Sequence, residues 1–198
     1  MTIADRAAAY SRTFPDRPPL QVVQEGGADV LYGTWLCGND YRTRSALYGA
    51  YPHGYLERVM ALFPAGGHVL HAFAGALPPG PYRRLDLVDR VGAPDPLFHC
   101  ASVYDAATVF ADLPLFDLVI ADPPYSKDDA EQYGTPSVNR GRATRALAAA
   151  TRVGGHLVWL DTTWPMFRKA EWRTVGRIAL IRSTNHRVRL VSIFERVA

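Results

Sequence analysis

The chain has 198 residues but only two cysteines, Cys37 and Cys100, which lie far apart in the sequence. Neither stands at C-x-x-C spacing or beside a pair of histidines, so we expect neither a disulfide framework nor a zinc site. The six histidines also lack the spacing of metal ligands, and we predict no metal site. For such a chain we expect a reducing, cytoplasmic compartment.

Long apolar runs are missing as well. No stretch approaches the roughly 18 apolar residues of a membrane-spanning helix, and the polar, proline-rich start does not resemble a signal peptide. We therefore expect no membrane partner. The length allows one sizeable core, and we predict a single domain over residues 1–198 with no separate target-recognition domain. Residues 1–30, rich in Pro, Gly and polar side chains, are predicted to form an irregular arm.

Charge is distributed unevenly along the chain. Residues 1–139 carry 10 basic and 16 acidic side chains, whereas residues 140–198 carry 12 basic and 3 acidic ones. A polyanionic partner at the C-terminal third would explain this difference, because phosphate contacts dominate the affinity for nucleic acids. The alternative is that these arginines only solvate the outer faces of terminal strands.

Short apolar runs separated by loops or helices predict an α/β fold. Because the short strands are separated by loops or helices and followed by a terminal hairpin, we expect a mostly parallel sheet with that hairpin as one antiparallel edge. The links after the first two of these runs are short and rich in proline, so the first helices should be short or missing. Strands are predicted at 68–73, 85–88, 97–101, 116–121, 156–161, 175–181 and 188–194, and helices at 55–63 and 140–152.

The strand FDLVIA (116–121) leads directly into Asp122-Pro123-Pro124-Tyr125, and ligands gather at the carboxyl ends of parallel strands. The Asp122 carboxylate and the Pro123 carbonyl are acceptors that could hold the hydrogens of an amino group and direct its lone pair outward. Pro123 and Pro124 stiffen the loop, and the Tyr125 ring offers a face on which an extruded base can stack. The alternative is a rigid turn without chemistry.

FDLVIADPPYS resembles motif IV of the class I S-adenosylmethionine (SAM)-dependent amino-methyltransferases that carry a DPPY motif. VLHAFAGA resembles their SAM-binding motif I, although His71 stands in place of the usual acid and Leu77 in place of a small residue. LYGAYPHGYLERVMALFP (47–64) is similar to the upstream segment of bacterial and phage DNA adenine-N6 methyltransferases. The resemblance covers roughly residues 47–161 and implies a Rossmann-like fold, SAM as the cofactor, and methylation of an exocyclic amino group.

By this resemblance, Asp122 to Tyr125 hold the target amine. An acid at the end of the second strand should bind the ribose hydroxyls; we prefer Asp86, although Asp89 stays open. The residues assigned to SAM are Tyr48, Gly49, Tyr51, Ala72, Phe73, Gly75, Asp86, Ala101 and Ser102.

The expected substrate is adenine N6 in DNA, with an RNA base as the second candidate. An open sheet face would favour a homodimer. The competing hypothesis is an inactive SAM-binding module that serves as a partner or adaptor of an active subunit. The predicted tip of the terminal hairpin could contact phosphates or be a plain turn with solvated arginines; its residues are Asn185, His186, Arg187 and Arg189.

Overall fold

The structure, a computed structural model, describes residues 1–38, 51–92, 94–183 and 186–198. The strands of these residues form one nine-stranded sheet. They are β1 (Gln21–Glu25), β2 (Ala28–Cys37), β3 (Val69–Ala72), β4 (Arg83–Asp86), β5 (Phe98–Cys100), β6 (Phe116–Ala121), β7 (Thr151–Asp161), β8 (Trp172–Arg182) and β9 (Val188–Arg196). Their order across the sheet is β1-β2-β8-β9-β7-β6-β3-β4-β5.

The central strands run parallel, and the last strand is antiparallel to both of its neighbours. β3 pairs in parallel with β4 and β6, β4 with β5, and β6 with β7. β9 lies between β7 and β8 and is antiparallel to each. These pairings confirm the predicted α/β fold with a mostly parallel sheet and a C-terminal antiparallel hairpin. The hairpin does not form an edge of the sheet as expected, because β2 pairs with β8 and extends the sheet beyond it.

The strand order reverses beside β3. The chain passes from β3 outward to β4 and β5, and it then returns to form β6 on the other side of β3. Adjacent strands whose following loops diverge in this way leave a crevice at their carboxyl ends, which is the usual ligand site of such sheets. Ala72 and Ala121 are paired in the sheet, and the crevice is expected between the loops that follow them.

Apolar side chains project from both faces of the sheet, which explains the continuous hydrophobic runs in the sequence. In β6, Leu118 and Ile120 contribute to one core cluster, while Val119 contributes to the other. The helices of the described residues are α1 (Ile3–Thr13), α2 (Tyr55–Leu62), α3 (Ala106–Val109), α4 (Lys127–Tyr133) and α5 (Arg140–Ala150), with a 3₁₀ turn at Val103–Asp105. In the described ranges, no helix has the length and apolarity needed to cross a membrane.

The predicted helices at 55–63 and 140–152 are confirmed as α2 and α5. Residues 73–82, between β3 and β4, contain no helix, and the described residues between β4 and β5 contain none either. The prediction of short or missing first helices is therefore confirmed. α1 and α2 pack on one face of the sheet, and α3 and α5 on the other.

The prediction of an irregular arm over residues 1–30 is wrong. Thr2 and Asp5 form a reciprocal capping box that begins α1, and Ala7 and Tyr10 lie in the core. β1 and the first part of β2 follow, so this segment adds two strands at one edge of the sheet. The buried side of α1 is mostly alanine, which gives a weak hydrophobic periodicity, and the prolines at 15–19 lie after the helix rather than within it.

Replacement of Tyr10 tests the structural role of α1. The Tyr10 side chain is 1% exposed, and the centroid of its ring lies 5.9 Å from the centroid of the Trp35 ring. We expect Tyr10→Ala to lower the free energy of unfolding by about 3 kcal/mol in urea denaturation, because a buried aromatic ring is lost. The exposed Arg12 of the same helix is the control, and Arg12→Ala should change stability by no more than about 0.5 kcal/mol. If both substitutions changed the free energy of unfolding by the same small amount, the packing of α1 against the sheet would be contradicted.

Candidate active site at the carboxyl ends of the strands

The segments predicted to bind ligand follow four neighbouring strands at the same edge of the sheet. Phe73–Gly75 follows β3, Asp86 ends β4, Ala101-Ser102 follows β5, and Asp122–Tyr125 follows β6. In the register, Ala72 is paired with both Leu85 and Ala121, and Asp86 with Cys100. The structure thus places the two predicted halves of the site beside each other. Tyr48, Gly49 and Asn185 lie outside the described residues.

Asp122 and Tyr125 are joined by a hydrogen bond in which the tyrosine hydroxyl donates to Asp122 Oδ1 at 2.6 Å. Burial raises the pKa of Asp122 to about 6, against the opposing effects of the Arg189 charge and the Tyr125 hydroxyl. Burial likewise raises the pKa of Tyr125 well above its ordinary value. The site therefore contains a strong acceptor that has lost much of its water and lies next to an aromatic ring.

Arg140, the first residue of α5, ties the end of this loop to β7. Its Nε and Nη2 donate to the two oxygens of Asp161 at 2.7 and 3.0 Å, and Nη2 also donates to the Tyr125 carbonyl at 2.8 Å. The Asp161 side chain is 0% exposed and also accepts from Trp159 Nε1 at 3.0 Å and from Thr162 N at 2.7 Å. The loop geometry therefore depends on a buried ion pair that the sequence analysis missed.

The turn after β3 has an unusual backbone. Phe73 has a φ of 58° and Gly75 a φ of 53°. A positive φ is rare for a bulky residue and stores strain of about 1–3 kcal/mol, which is typical of functional sites. The Gly75 amide donates to Asp86 Oδ2 at 2.8 Å, so the carboxylate at the end of β4 fixes the turn after β3.

Asp86 and Asp89 have different surroundings. Asp86 is the last residue of β4, and its backbone carbonyl accepts from Ala101 N at 3.0 Å. Asp89 is exposed and accepts from the amides of Val91 and Gly92 in a surface turn. Of the two acids, Asp86 is the one that ends a strand next to the turn after β3.

Tyr51 and Tyr55 approach the same edge from the start of α2. Their rings stack with centroids 5.4 Å apart, and the Tyr51 hydroxyl lies 3.2 Å from His71 Nδ1. Burial and then the charge of Asp122 raise the pKa of each tyrosine well above its ordinary value. The Tyr55 side chain is 0% exposed, and its hydroxyl has no hydrogen-bond partner among the described residues. Tyr55 was not predicted, although it lies four residues after Tyr51.

His71, which replaces the acid of the motif, is buried in β3 and lies between two aromatic rings. Its ring centroid is 5.7 Å from that of Tyr51 and 4.6 Å from that of Tyr82. Burial lowers the pKa of His71 to about 4. A neutral imidazole therefore occupies this position, and it offers hydrogen bonding without charge.

These residues fit a cofactor that contains both hydroxyls and an apolar part. Asp86 Oδ1 is only weakly occupied, by Val88 N at 3.3 Å, and it can accept from a pair of ribose hydroxyls. The Tyr55 hydroxyl lacks a partner among the described residues and could form a hydrogen bond with a ligand. The strained turn at Phe73 and Gly75 is a second feature that is typical of a ligand site. Ser102 is used otherwise: its hydroxyl accepts from Tyr104 N and caps the 3₁₀ turn.

A cavity of about 690 Å³ lies at the opposite edge of the sheet and contains none of the predicted site residues. Its lining includes Arg6, Phe63 and His156. Arg6 and His156 approach each other to 3.4 Å there, and burial lowers the pKa of His156 to about 3. Within the described ranges, no group of three or more His, Cys, Asp and Glu side chains could hold a metal ion.

The chain matches no protein-family model and no curated protein sequence. Among solved structures, it is similar to TrmN from Thermus thermophilus, with 17% identity, a TM-score of 0.51, and coverage of 94% of this chain and 64% of that one. It is also similar to a protein from Streptococcus mutans assigned as a SAM-dependent methyltransferase, with 12% identity, a TM-score of 0.47, and coverage of 90% of this chain and 56% of that one. The N-methyltransferase NodS from Bradyrhizobium japonicum, bound to S-adenosylhomocysteine, has 14% identity and a TM-score of 0.43, and the match covers 68% of this chain and 81% of that one.

The likeness to TrmN shows the fold alone: this chain has the Rossmann-like α/β fold of methyltransferases. The two weaker likenesses add nothing to that argument. The chain spans less than two thirds of the TrmN chain that it matches.

Breaking the ion pair between Arg140 and Asp161 should destabilise the protein. Arg140→Met leaves a buried carboxylate without its cation, and we expect a loss of about 3 kcal/mol in urea denaturation. The double variant Arg140→Met/Asp161→Asn should recover part of this loss, because the amide keeps an acceptor but carries no charge. Arg152→Met, which breaks the exposed pair with Asp117, is the control and should cost no more than about 1 kcal/mol. A double variant less stable than Arg140→Met would contradict this interpretation.

Proposed function

We propose that this protein is a SAM-dependent methyltransferase that acts on an exocyclic amino nitrogen of a nucleic-acid base. The observation that supports this most strongly is the position of Asp122 and Tyr125 at the reversal of strand order. They form an acceptor and an aromatic face beside a strained turn and the carboxylate of Asp86. This combination suits a planar substrate that must present an amine to a cofactor in the adjacent half of the crevice.

On the substrate side, the protein has to hold the two hydrogens of the amino group. Asp122 Oδ and the Pro123 carbonyl are the acceptors, and their pull on the hydrogens keeps the nitrogen lone pair free to point toward the cofactor. The base stacks on Tyr125, whose hydroxyl orients Asp122 in the free protein. When the nitrogen gains the methyl group it must lose one proton, and the Asp122 carboxylate is placed to receive it before it passes to water.

On the cofactor side, Asp86 would hold the ribose hydroxyls, and the turn at Phe73 and Gly75 would lie along the cofactor. SAM, when bound, supplies a methyl group that is already activated by the sulfonium charge. The protein contributes mainly orientation and proximity, for which a rigid proline-containing loop is suited.

Adenine N6 in DNA remains the expected target, and an RNA base is the second candidate. The excess of basic residues in 140–198 supports a polyanionic partner, and Arg189 of this segment lies over Tyr125. A homodimer remains an expectation. The face that was expected to be open is covered by α1 and α2, which weakens the motive for it.

Asp122→Asn tests the function directly. The amide retains the shape of the carboxylate and one acceptor oxygen, but it carries no charge, so it holds the amine hydrogens less strongly and cannot receive the proton that the amine loses. We expect labelled methyl transfer to a mixture of double-stranded DNA, single-stranded DNA and RNA to fall about 100-fold or more. SAM affinity, measured by calorimetry, should change little, because Asp86 and the turn after β3 are untouched.

Asp128→Asn is the matched control, since Asp128 is exposed in the first turn of α4. Its activity should equal that of the wild type. Unchanged transfer by Asp122→Asn would contradict the proposed role of Asp122. SAM binding without transfer by the wild type would instead favour the inactive module.

The reaction should lose rate in acid as Asp122 is protonated. Because burial raises the pKa of Asp122 to about 6, the rate of a single turnover should rise with pH and reach half its maximum near that value. The Tyr125 hydroxyl lowers this pKa, so the half-point should move to higher pH in Tyr125→Phe. The other charged groups that act on Asp122 are Arg189, Asp161 and Asp129, and all are unchanged in this variant. A half-point that moves to lower pH would contradict the assignment.

A further inference from the structure

Arg189, near the start of β9, covers the aromatic face of the proposed site. Its guanidinium carbon lies 4.6 Å from the centroid of the Tyr125 ring. In the described part of the chain, no carboxylate lies within ion-pairing distance of Arg189, although its charge lowers the pKa of Asp122 and of Tyr125. The main contact of this cation is therefore the ring on which we expect the base to stack.

A base and a guanidinium cannot occupy the same face of Tyr125 at van der Waals distance. Stacking of a base on this face therefore displaces Arg189, and the displaced charge needs another partner. Asp161 cannot serve, because its carboxylate is buried and already accepts from Arg140, Trp159 and Thr162. Asp122 cannot serve either while it holds the amine.

The remaining partner is a phosphate of the substrate. A base that is extruded from a strand brings the phosphates on both sides of its sugar to the rim of the site. Arginine suits such a contact because its planar donors match the phosphate oxygens. The cation–π contact that is lost is weak, and an arginine–phosphate contact can replace it.

We propose that Arg189 closes the Tyr125 face in the free protein and exchanges the ring for a phosphate when the target base enters. This inference rests on the proposed function and deepens it. The site then selects a base within a phosphodiester-linked strand over the same base as a free nucleoside. A nucleoside has to uncover the ring without offering a phosphate in return.

The experiment compares single-stranded oligonucleotide and free adenosine as methyl acceptors for the wild type, Arg189→Gln and Arg189→Lys. For Arg189→Gln, we expect KM for the oligonucleotide to rise about tenfold, with a smaller change in kcat. The slope of log affinity against log salt should become shallower by about 0.7, the value for one phosphate contact with a single strand. The rates are measured at about pH 8.5, where Asp122 is ionised with or without the charge of Arg189. For adenosine, kcat/KM should then rise about two- to fivefold, because the ring no longer has to be uncovered. Arg189→Lys should restore the salt slope.

Arg173→Gln is the control, because it removes one positive charge at the opposite edge of the sheet from an exposed pair with Glu195. It should behave as the wild type with both acceptors. Equal losses of Arg189→Gln with oligonucleotide and adenosine would overturn the proposal, since they would mean that Arg189 only supports the geometry of Tyr125. No change with either acceptor would overturn it as well.

Binding of a fluorescent oligonucleotide, measured by anisotropy over a salt series, separates this inference from the proposed function. A wild type that transfers no methyl group to any acceptor contradicts the proposed function. The difference in salt slope between the wild type and Arg189→Gln then still tests the phosphate contact, and equal slopes would overturn it.

Discussion

The buried carboxylate of Asp122 is the central acceptor of the candidate site. It directly follows β6, a strand buried on both faces, and the loss of water makes its ionised form costly, with a pKa of about 6. Two neighbours reduce this cost: the Tyr125 hydroxyl donates to it, and the positive charge of Arg189 acts on it from β9. A carboxylate held in this way has residual accepting capacity that a substrate amine can satisfy.

The fold provides two kinds of support for that group. Parallel strands place the loops after β3, β4 and β6 side by side, and the reversal of order next to β3 opens the crevice between them. Arg140 then holds the end of the Asp122–Tyr125 loop against Asp161 at the end of β7. Arg140, from the basic C-terminal third, is thus bonded directly to the loop of the candidate site.

Local sequence could predict the features that depend on neighbouring residues. FDLVIA followed by Asp122–Tyr125 identified β6 and its loop, and the short proline-rich links explained the missing first helices. Contacts between distant segments could not be read in this way. The pairing of Arg140 with Asp161 and the position of Arg189 over Tyr125 depend on tertiary packing, and α1 was missed because alanines make a weak pattern.

Nucleoside mass spectrometry after incubation with isotopically labelled SAM tests the central claim most directly. DNA and RNA pools are digested after the reaction, and the labelled nucleoside is identified by mass and retention. We predict label on an exocyclic amino nitrogen, with N6-methyladenine in DNA expected first. Label on a ring nitrogen, a carbon or a sugar oxygen would contradict the role given to Asp122 and Tyr125, and so would an unlabelled pool from protein that binds SAM.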